Sequence, residues 1–302
     1  MSRSLRYRGP AVVAALALAL PLAACGSDKK NDNAVTQPTS AASSSSSQEL
    51  IVFAAASLTG TFQQLATTFE AAHPGVHVTF NFGSSGTLAT QINQGAPADV
   101  FASASTATMK TVTDAGNGAG DPPATFVHNK LEIAVPTGNP GHVTGLSDFT
   151  KDSLKIALCA STAPCGAAAD TLATKTGETF KPDTRETDVK AVLTKVEAGE
   201  VDAALVYVTD VLSATPGKVE GIEFPEADKA INDYQISALK ESKNLDLASQ
   251  WVQFIESDAA QSVLTDAGFE PANGSSTASP SSSSDMSGNM SDMSSSPSPT
   301  SY

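Results

Sequence analysis

Positive charge is scarce in this chain. Its 302 residues carry 18 Lys and Arg against 32 Asp and Glu, a formal net charge of −14. That imbalance argues against nucleic acid and anionic membrane surfaces as partners, because the overall field repels both. It does not exclude a small anion, but any anion site must then be built from local neutral donors. Histidine is scarce as well, at four residues. His73 and His77 are separated by Pro74-Gly75 and cannot share a helix face, and His128 and His142 have no evident partners. No set of residues has metal-ligand spacing, so no direct cation ligands are expected. The chain also lacks a Gly-x-Ser-x-Gly elbow, a phosphate loop and any repeat of fixed period. Its one long apolar run, Ala11 to Leu22, is too short to span a bilayer.

What is present at the start has the form of an export signal. Arg3, Arg6 and Arg8 precede that apolar run, which ends in Leu22-Ala23-Ala24-Cys25-Gly26. The ending matches the lipobox of bacterial lipoproteins. Residues 1–24 are therefore expected to be a signal peptide, with cleavage before Cys25 and lipidation of its thiol. The product would sit on the extracytoplasmic face of the cell membrane, in the periplasm or cell-wall space, held by lipid alone. Residues 25–48 are polar and end in a serine run, which suits a disordered tether. Residues 272–302 are rich in Ser, Pro and Met and are expected to form a disordered tail.

Between the tails, strands and helices alternate. Ile51-Val52-Phe53 is a short apolar run that suits a doubly covered strand. After three alanines, Ser57 stands where a helix N-cap belongs, ahead of an apolar stripe at Phe62, Leu65, Ala66 and Phe69. Val76–Phe82 alternates as a strand does and runs through Gly83-Ser84-Ser85-Gly86 into a second helix. Asp99–Ala102, Leu131–Val135, Lys155–Leu158, Ala203–Tyr207 and Tyr234–Leu239 complete the expected strands. Thr187-Asp188 caps a helix whose Val189, Val192, Leu193 and Val196 hold i, i+3, i+4, i+7 spacing, and Asp246 is placed to cap another. This βαβ alternation predicts an α/β protein with mostly parallel sheets. Strands near Phe126–Val135 and Tyr234–Leu239 can cross between two lobes. Residues 49–129 and 234–271 would then form lobe I and residues 130–233 lobe II, with a ligand in the cleft.

Four expected helix N-termini follow strands, near Ser57, Ser85, Cys165 and Val189. Each offers backbone N–H groups without intrahelical partners, and the two serines add hydroxyls. Tyr207 ends a strand and brings a fifth donor. Hydroxyls and amides without Lys or Arg suit a dehydrated, fully ionised tetrahedral oxyanion. Each of these residues has an ordinary structural role available to it, and only their joint occurrence at strand-to-helix turns points to an anion.

Three stretches carry a family resemblance: Val52-Phe53-Ala54-Ala55-Ala56-Ser57-Leu58, Phe82-Gly83-Ser84-Ser85-Gly86-Thr87-Leu88 and Gly95-Ala96-Pro97-Ala98-Asp99-Val100-Phe101. Pro164-Cys165-Gly166, Asp188-Val189, Val206-Tyr207 and Gly268-Phe269 extend it, so that it covers about residues 49–271. In these the chain resembles the periplasmic molybdate-binding proteins that serve ATP-binding-cassette transporters. The resemblance implies a two-lobed periplasmic-binding-protein fold (type II) closing over molybdate, with tungstate as a second ligand. It implies ligand contacts from Ser57, Ser85, the amides of Cys165 and Val189, and the Tyr207 hydroxyl. It further implies a transporter permease as partner, a monomer, no cofactor and no turnover. Many relatives have alanine at the Cys165 position, which changes little if only the N–H is used. Cys159 and Cys165, six apart in a chain read as exported, form a candidate disulfide, with two buried thiols as the alternative. Asp99 is read as a strand-start residue rather than a catalytic one. Three other functions stay open at this point, one of them a surface-adhesion lipoprotein that binds no small ligand. The same donors would serve sulfate or phosphate, and Ser57 or Ser85 could be the nucleophile of an exported serine hydrolase, given a base within reach.

Overall fold

The computed structural model describes residues 47–272. The expected signal peptide, Cys25, nearly all of the tether and all but the first residue of the tail lie outside the described residues. In chain order the strands are β1 (Gln48–Ala55), β2 (Val76–Gly83), β3 (Val100–Ser103), β4 (Ala124–Asn129), β5 (Leu131–Pro136), β6 (Ile156–Cys159), β7 (Thr184–Glu186), β8 (Ala203–Tyr207), β9 (Val219–Ile222), β10 (Asn232–Ala238) and β11 (Glu270–Pro271). The helices are α1 (Thr59–Ala72), α2 (Ser85–Asn93), α3 (Thr106–Asp114), α4 (Pro164–Thr176), α5 (Val189–Glu197), α6 (Val208–Leu212), α7 (Leu245–Ile255) and α8 (Asp258–Asp266). No helix among the described residues is long and apolar enough to cross a membrane.

The strands form two sheets, ordered β11-β4-β10-β3-β1-β2 and β7-β6-β8-β5-β9. Both are mixed, which corrects the expectation of mostly parallel sheets. β1 pairs in parallel with β2 and β3, as its βαβ connections require. The strands that enter and leave the second sheet run the other way. β10 is antiparallel to β3 and β4, and β5 is antiparallel to β8 and β9. The expected single strand over Phe126–Val135 is two strands, one in each sheet, and the chain crosses at Lys130. It returns before Asn232, because Asn232 and Asp233 already pair with β4.

Each sheet has its own core. In the first, Phe62, Phe69 and Trp251 pack as fully buried rings, with Phe69 edge-on to Trp251 at 5.1 Å. The aromatic contacts add about 0.5–1.5 kcal/mol per pair to the area they bury. In the second, Val192 and Val196 of α5 seal the face of β5, β6 and β8. The alanine after β1 lets the two cores meet: Ala56, though attached to the first sheet, belongs to the second core. Two capping expectations change. α1 begins at Thr59 behind a short 3-10 turn, so Ser57 is not its cap, and α7 begins after Asn244, which leaves Asp246 in the first turn. In both places the turn before the helix is set by tertiary contacts rather than by the capping side chain. His128 does have a partner: its Nδ1 lies 2.8 Å from Asp233 Oδ1 across β4 and β10.

Candidate functional site

The C-terminal ends of β1, β2, β6 and β8 point at one small cavity. From the first sheet its wall takes Ala55, Ala56, Ser57, Gly83, Ser84, Ser85 and Ala104. From the second it takes Ala163, Pro164, Cys165, Asp188, Val189 and Tyr207. All five residues picked out by turn position thus meet in one place, and each is at most 7 % exposed. The void is small: about 10 Å3 is open to the centre of a water-sized sphere, against about 650 Å3 for the surface groove beside His73. Such a space admits one compact group rather than a chain-like molecule.

Local structure dictates which donors face this void. α2 starts at Ser85, behind Ser84 in extended geometry, so the Ser85 amide lies in the first helical turn, where N–H groups lack intrahelical partners. The Ser85 hydroxyl oxygen accepts a bond from the Ala104 N–H at 3.0 Å. With its oxygen held by a donor, its proton is free to turn to the cavity. α4 starts at Pro164, which has no N–H, and Cys165 is therefore the first residue of that helix able to donate. α5 is capped by Asp188, whose Oδ1 accepts from the amides of Lys190 and Ala191 at 3.0 and 3.1 Å. That cap takes the second and third amides and leaves the Val189 amide for the wall.

Tyr207 closes the far side. It is 1 % exposed, and its hydroxyl has no hydrogen-bond partner among the described residues. Burial, then the neighbouring Tyr234 and Asp210, push its pKa well above the usual tyrosine range, so it remains an O–H donor. An orphaned donor of this kind costs about 1–3 kcal/mol unless something pairs with it. The Asp210 carboxylate below it accepts from the Tyr207 N–H at 3.2 Å and is paired with Lys190 Nζ at 2.9 Å. No Lys or Arg lines the cavity.

Cys159 and Cys165 are joined, with Cα atoms 5.8 Å apart. The bridge ties the end of β6 to the first turn of α4. Gly166 follows because nothing larger fits: a Cβ there would lie 2.0 Å from the Ala160 carbonyl oxygen. Asp99 has a structural role, with its carboxylate accepting from the Ile51 N–H and the Ser242 hydroxyl at 2.7 and 2.6 Å. No histidine lines the cavity, and among the described residues no group of His, Cys, Asp and Glu could hold a metal ion. Ser57 and Ser85 consequently have no imidazole base beside them.

Three neighbours of the site were not legible in the sequence. Ser57 shares a 2.8 Å hydrogen bond with the Tyr234 hydroxyl, 177 residues away. Ala104 supports Ser85, and Gly86 lies so near the opposite wall that a Cβ would come 2.3 Å from the Thr162 carbonyl oxygen. None has a local signature, since each matters only for what the fold sets against it.

Known proteins resemble this chain over most of its described length. The family described as bacterial extracellular solute-binding proteins matches residues 50–270. The molybdate-binding protein ModA of Mycobacterium tuberculosis is 41 % identical over 248 residues, covering 82 % of this chain and 92 % of that protein. The ModA of Haemophilus influenzae is 32 % identical over 226 residues, covering 72 % of this chain and 88 % of its own length. Among solved structures, the periplasmic molybdate-binding protein of Azotobacter vinelandii superposes with a TM-score of 0.63. It is 23 % identical, covering 73 % of this chain and 98 % of that one, and supports the fold.

Proposed function

The chain belongs to the bacterial extracellular solute-binding proteins, and from that premise we propose that it captures molybdate, and tungstate with it, for delivery to an ATP-binding-cassette transporter permease. The observation that carries this reading is the set of neutral donors around one buried void. Ser57, Ser85 and Tyr207 offer hydroxyls, and Cys165 and Val189 offer amides. A tetrahedral dianion accepts from all of them. Each charge-assisted bond is worth about 1.5–3 kcal/mol before desolvation is subtracted. The Tyr207 hydroxyl gains the acceptor it lacks within the protein.

The crossing at Lys130 and the return before Asn232 are the connections about which the two lobes would open and close. Closure around the ion would present a surface to the permease, and energy for transport would come from that partner. The lipobox at Cys25 supports a lipid anchor on the extracytoplasmic face, and the protein would act as a monomer. A singly protonated phosphate requires an acceptor in the pocket. The one carboxylate on the wall, Asp188, already accepts the amides of its own helix, which disfavours phosphate.

Thermal unfolding with molybdate, tungstate, sulfate and phosphate tests the reading. A ligand at a hundred times its Kd adds about 2.7 kcal/mol of stability. For a domain of this size that raises Tm by roughly 5–10 °C. A rise with molybdate and tungstate alone is expected. A rise with sulfate or phosphate instead would replace the ligand, and no rise with any of the four would refute the site.

A further inference from the structure

Tyr234 stands one layer behind the cavity, on β10, which lies between β3 and β4 in the first sheet. It is fully buried and is not part of the cavity wall. Three rings fix it edge-on: Phe269 at 5.3 Å, Tyr207 at 6.0 Å and Phe126 at 6.3 Å. Its hydroxyl reaches Ser57 Oγ at 2.8 Å, and both groups are buried. Tyr234 thus touches a candidate donor from each sheet, Ser57 through a hydrogen bond and Tyr207 through its ring.

One hydrogen bond joins two hydroxyls, so only one of them donates. A phenol is the stronger acid and the poorer acceptor, which assigns the shared proton to Tyr234. The Ser57 oxygen then accepts, and its own proton must go elsewhere, toward the void. In the opposite arrangement Ser57 would turn a lone pair to the void. That would repel a fully ionised anion and welcome a protonated one. The logic parallels Ser85, whose oxygen is held by the Ala104 N–H.

We propose that Tyr234 is a positioning residue that, by donating to Ser57 Oγ, commits the Ser57 proton to the ligand and makes the site select a fully deprotonated oxyanion. This rests on the oxyanion-binding reading above and names the residue that sets its protonation preference. It predicts that removing one oxygen outside the cavity changes which ligand is taken inside it.

The test is calorimetric titration of the wild-type protein, Y234F, S57A and the double variant with sodium molybdate and with phosphate at pH 8. Y234F should weaken molybdate binding about tenfold and narrow the preference for molybdate over phosphate. In the S57A background the same change should cost nothing further, because no Ser57 proton is left to direct. A Y234F protein with wild-type affinity and preference would overturn the proposal. An equal loss in the S57A background would overturn it too, since that loss would come from packing. If Y234F does not fold, NMR of the wild-type protein with molybdate reads the same bond. A slowly exchanging Tyr234 hydroxyl proton directed at Ser57 is expected, and a Ser57 proton directed at Tyr234 refutes the assignment. Wild-type protein that binds no oxyanion would overturn the functional reading and this inference with it, whereas normal wild-type binding with an unchanged Y234F would sink only the inference.

Discussion

The two walls of the cavity are built on different principles. On the first-sheet side the side-chain donors are two hydroxyls beside the Ser85 amide, and each hydroxyl is already part of the fold, Ser57 bonded to Tyr234 and Ser85 to Ala104. On the second-sheet side two donors are backbone amides, fixed by the start of α4 and by the Asp188 cap of α5. The third is a hydroxyl that the fold leaves unpaired. One wall can therefore be edited by changing side chains. The other resists editing except at Tyr207, because its amides survive any substitution that keeps the helix starts. The cost of a mutation should accordingly fall on stability or on binding according to which wall it touches.

Glycine offers the sharpest contrast. Gly166→Ala places a Cβ 2.0 Å from the Ala160 carbonyl oxygen, inside one wall. It should lower unfolding stability by about 3 kcal/mol with or without ligand, as measured by denaturant titration. Gly86→Ala places its Cβ 2.3 Å from the Thr162 carbonyl oxygen, between the first-sheet and second-sheet sides. It should leave stability without ligand nearly unchanged and weaken molybdate binding by about 10- to 100-fold. If both variants lose stability alike, the walls are not separable and the comparison fails.

A hydroxyl pair comes next. Tyr207→Phe should weaken molybdate binding by about 10- to 100-fold, yet hold or raise Tm without ligand, because it removes an orphaned polar group. Ser85→Ala should weaken binding similarly but also lower stability by about 1 kcal/mol, because the Ala104 N–H loses its acceptor. Titration calorimetry and melting curves on the same samples separate the two outcomes.

Reduction of the Cys159–Cys165 bridge should have a somewhat smaller effect. A loop this short is worth about 2 kcal/mol in chain entropy. Loss of the constraint should lower Tm and soften the start of α4, weakening binding by a few-fold at the Cys165 amide while the Ser57 and Ser85 contacts persist. Unchanged affinity after reduction would mean that Pro164 and Gly166 suffice to set that turn.

The smallest effect expected is a pH slope in the second lobe. Glu132, on β5, is buried beside Glu223, and desolvation and then that like charge raise its pKa from 4.5 to about 7, against the pull of Lys130. Its folded-state pKa thus lies above the unfolded one. Ionisation is harder in the fold, so stability declines as pH rises from about 4.5 through about 7 and stays lower above that. With partial solvent screening the loss is about 1–2 kcal/mol. Glu132→Gln should flatten this slope in melts taken from pH 4 to 8, and a slope that survives the substitution would assign it to another group.

How far the sequence reached depends on whether a feature is local. Asp188 before an i, i+3, i+4, i+7 stripe identified the start of α5, and Pro164 did the same for α4, because capping and proline chemistry act within one turn. Ser57 does not cap α1, because its hydroxyl serves a long-range bond instead, and Asp246 does not cap α7, because Asn244 holds the position before its first turn. Sheet direction is mixed where the expectation was parallel, because a βαβ pattern sets neighbours in sequence. It says nothing of β5 and β10, whose directions follow from entering and leaving the second sheet.

The sequence by itself determined that strands run into helices near Ser57, Ser85, Cys165 and Val189 and that none of these residues is itself a cation. Those properties belong to single residues and their immediate neighbours. Only the tertiary structure decided that these four turns and Tyr207 face one void without a Lys or Arg, that Tyr234 holds Ser57, that Gly86 meets Thr162, and that the Tyr207 hydroxyl is left unpaired. Each of those is a distance between segments far apart in the chain, fixed by the crossing at Lys130 and by the two cores meeting at Ala56. Local chemistry specifies a donor, whereas packing specifies which donors share an acceptor.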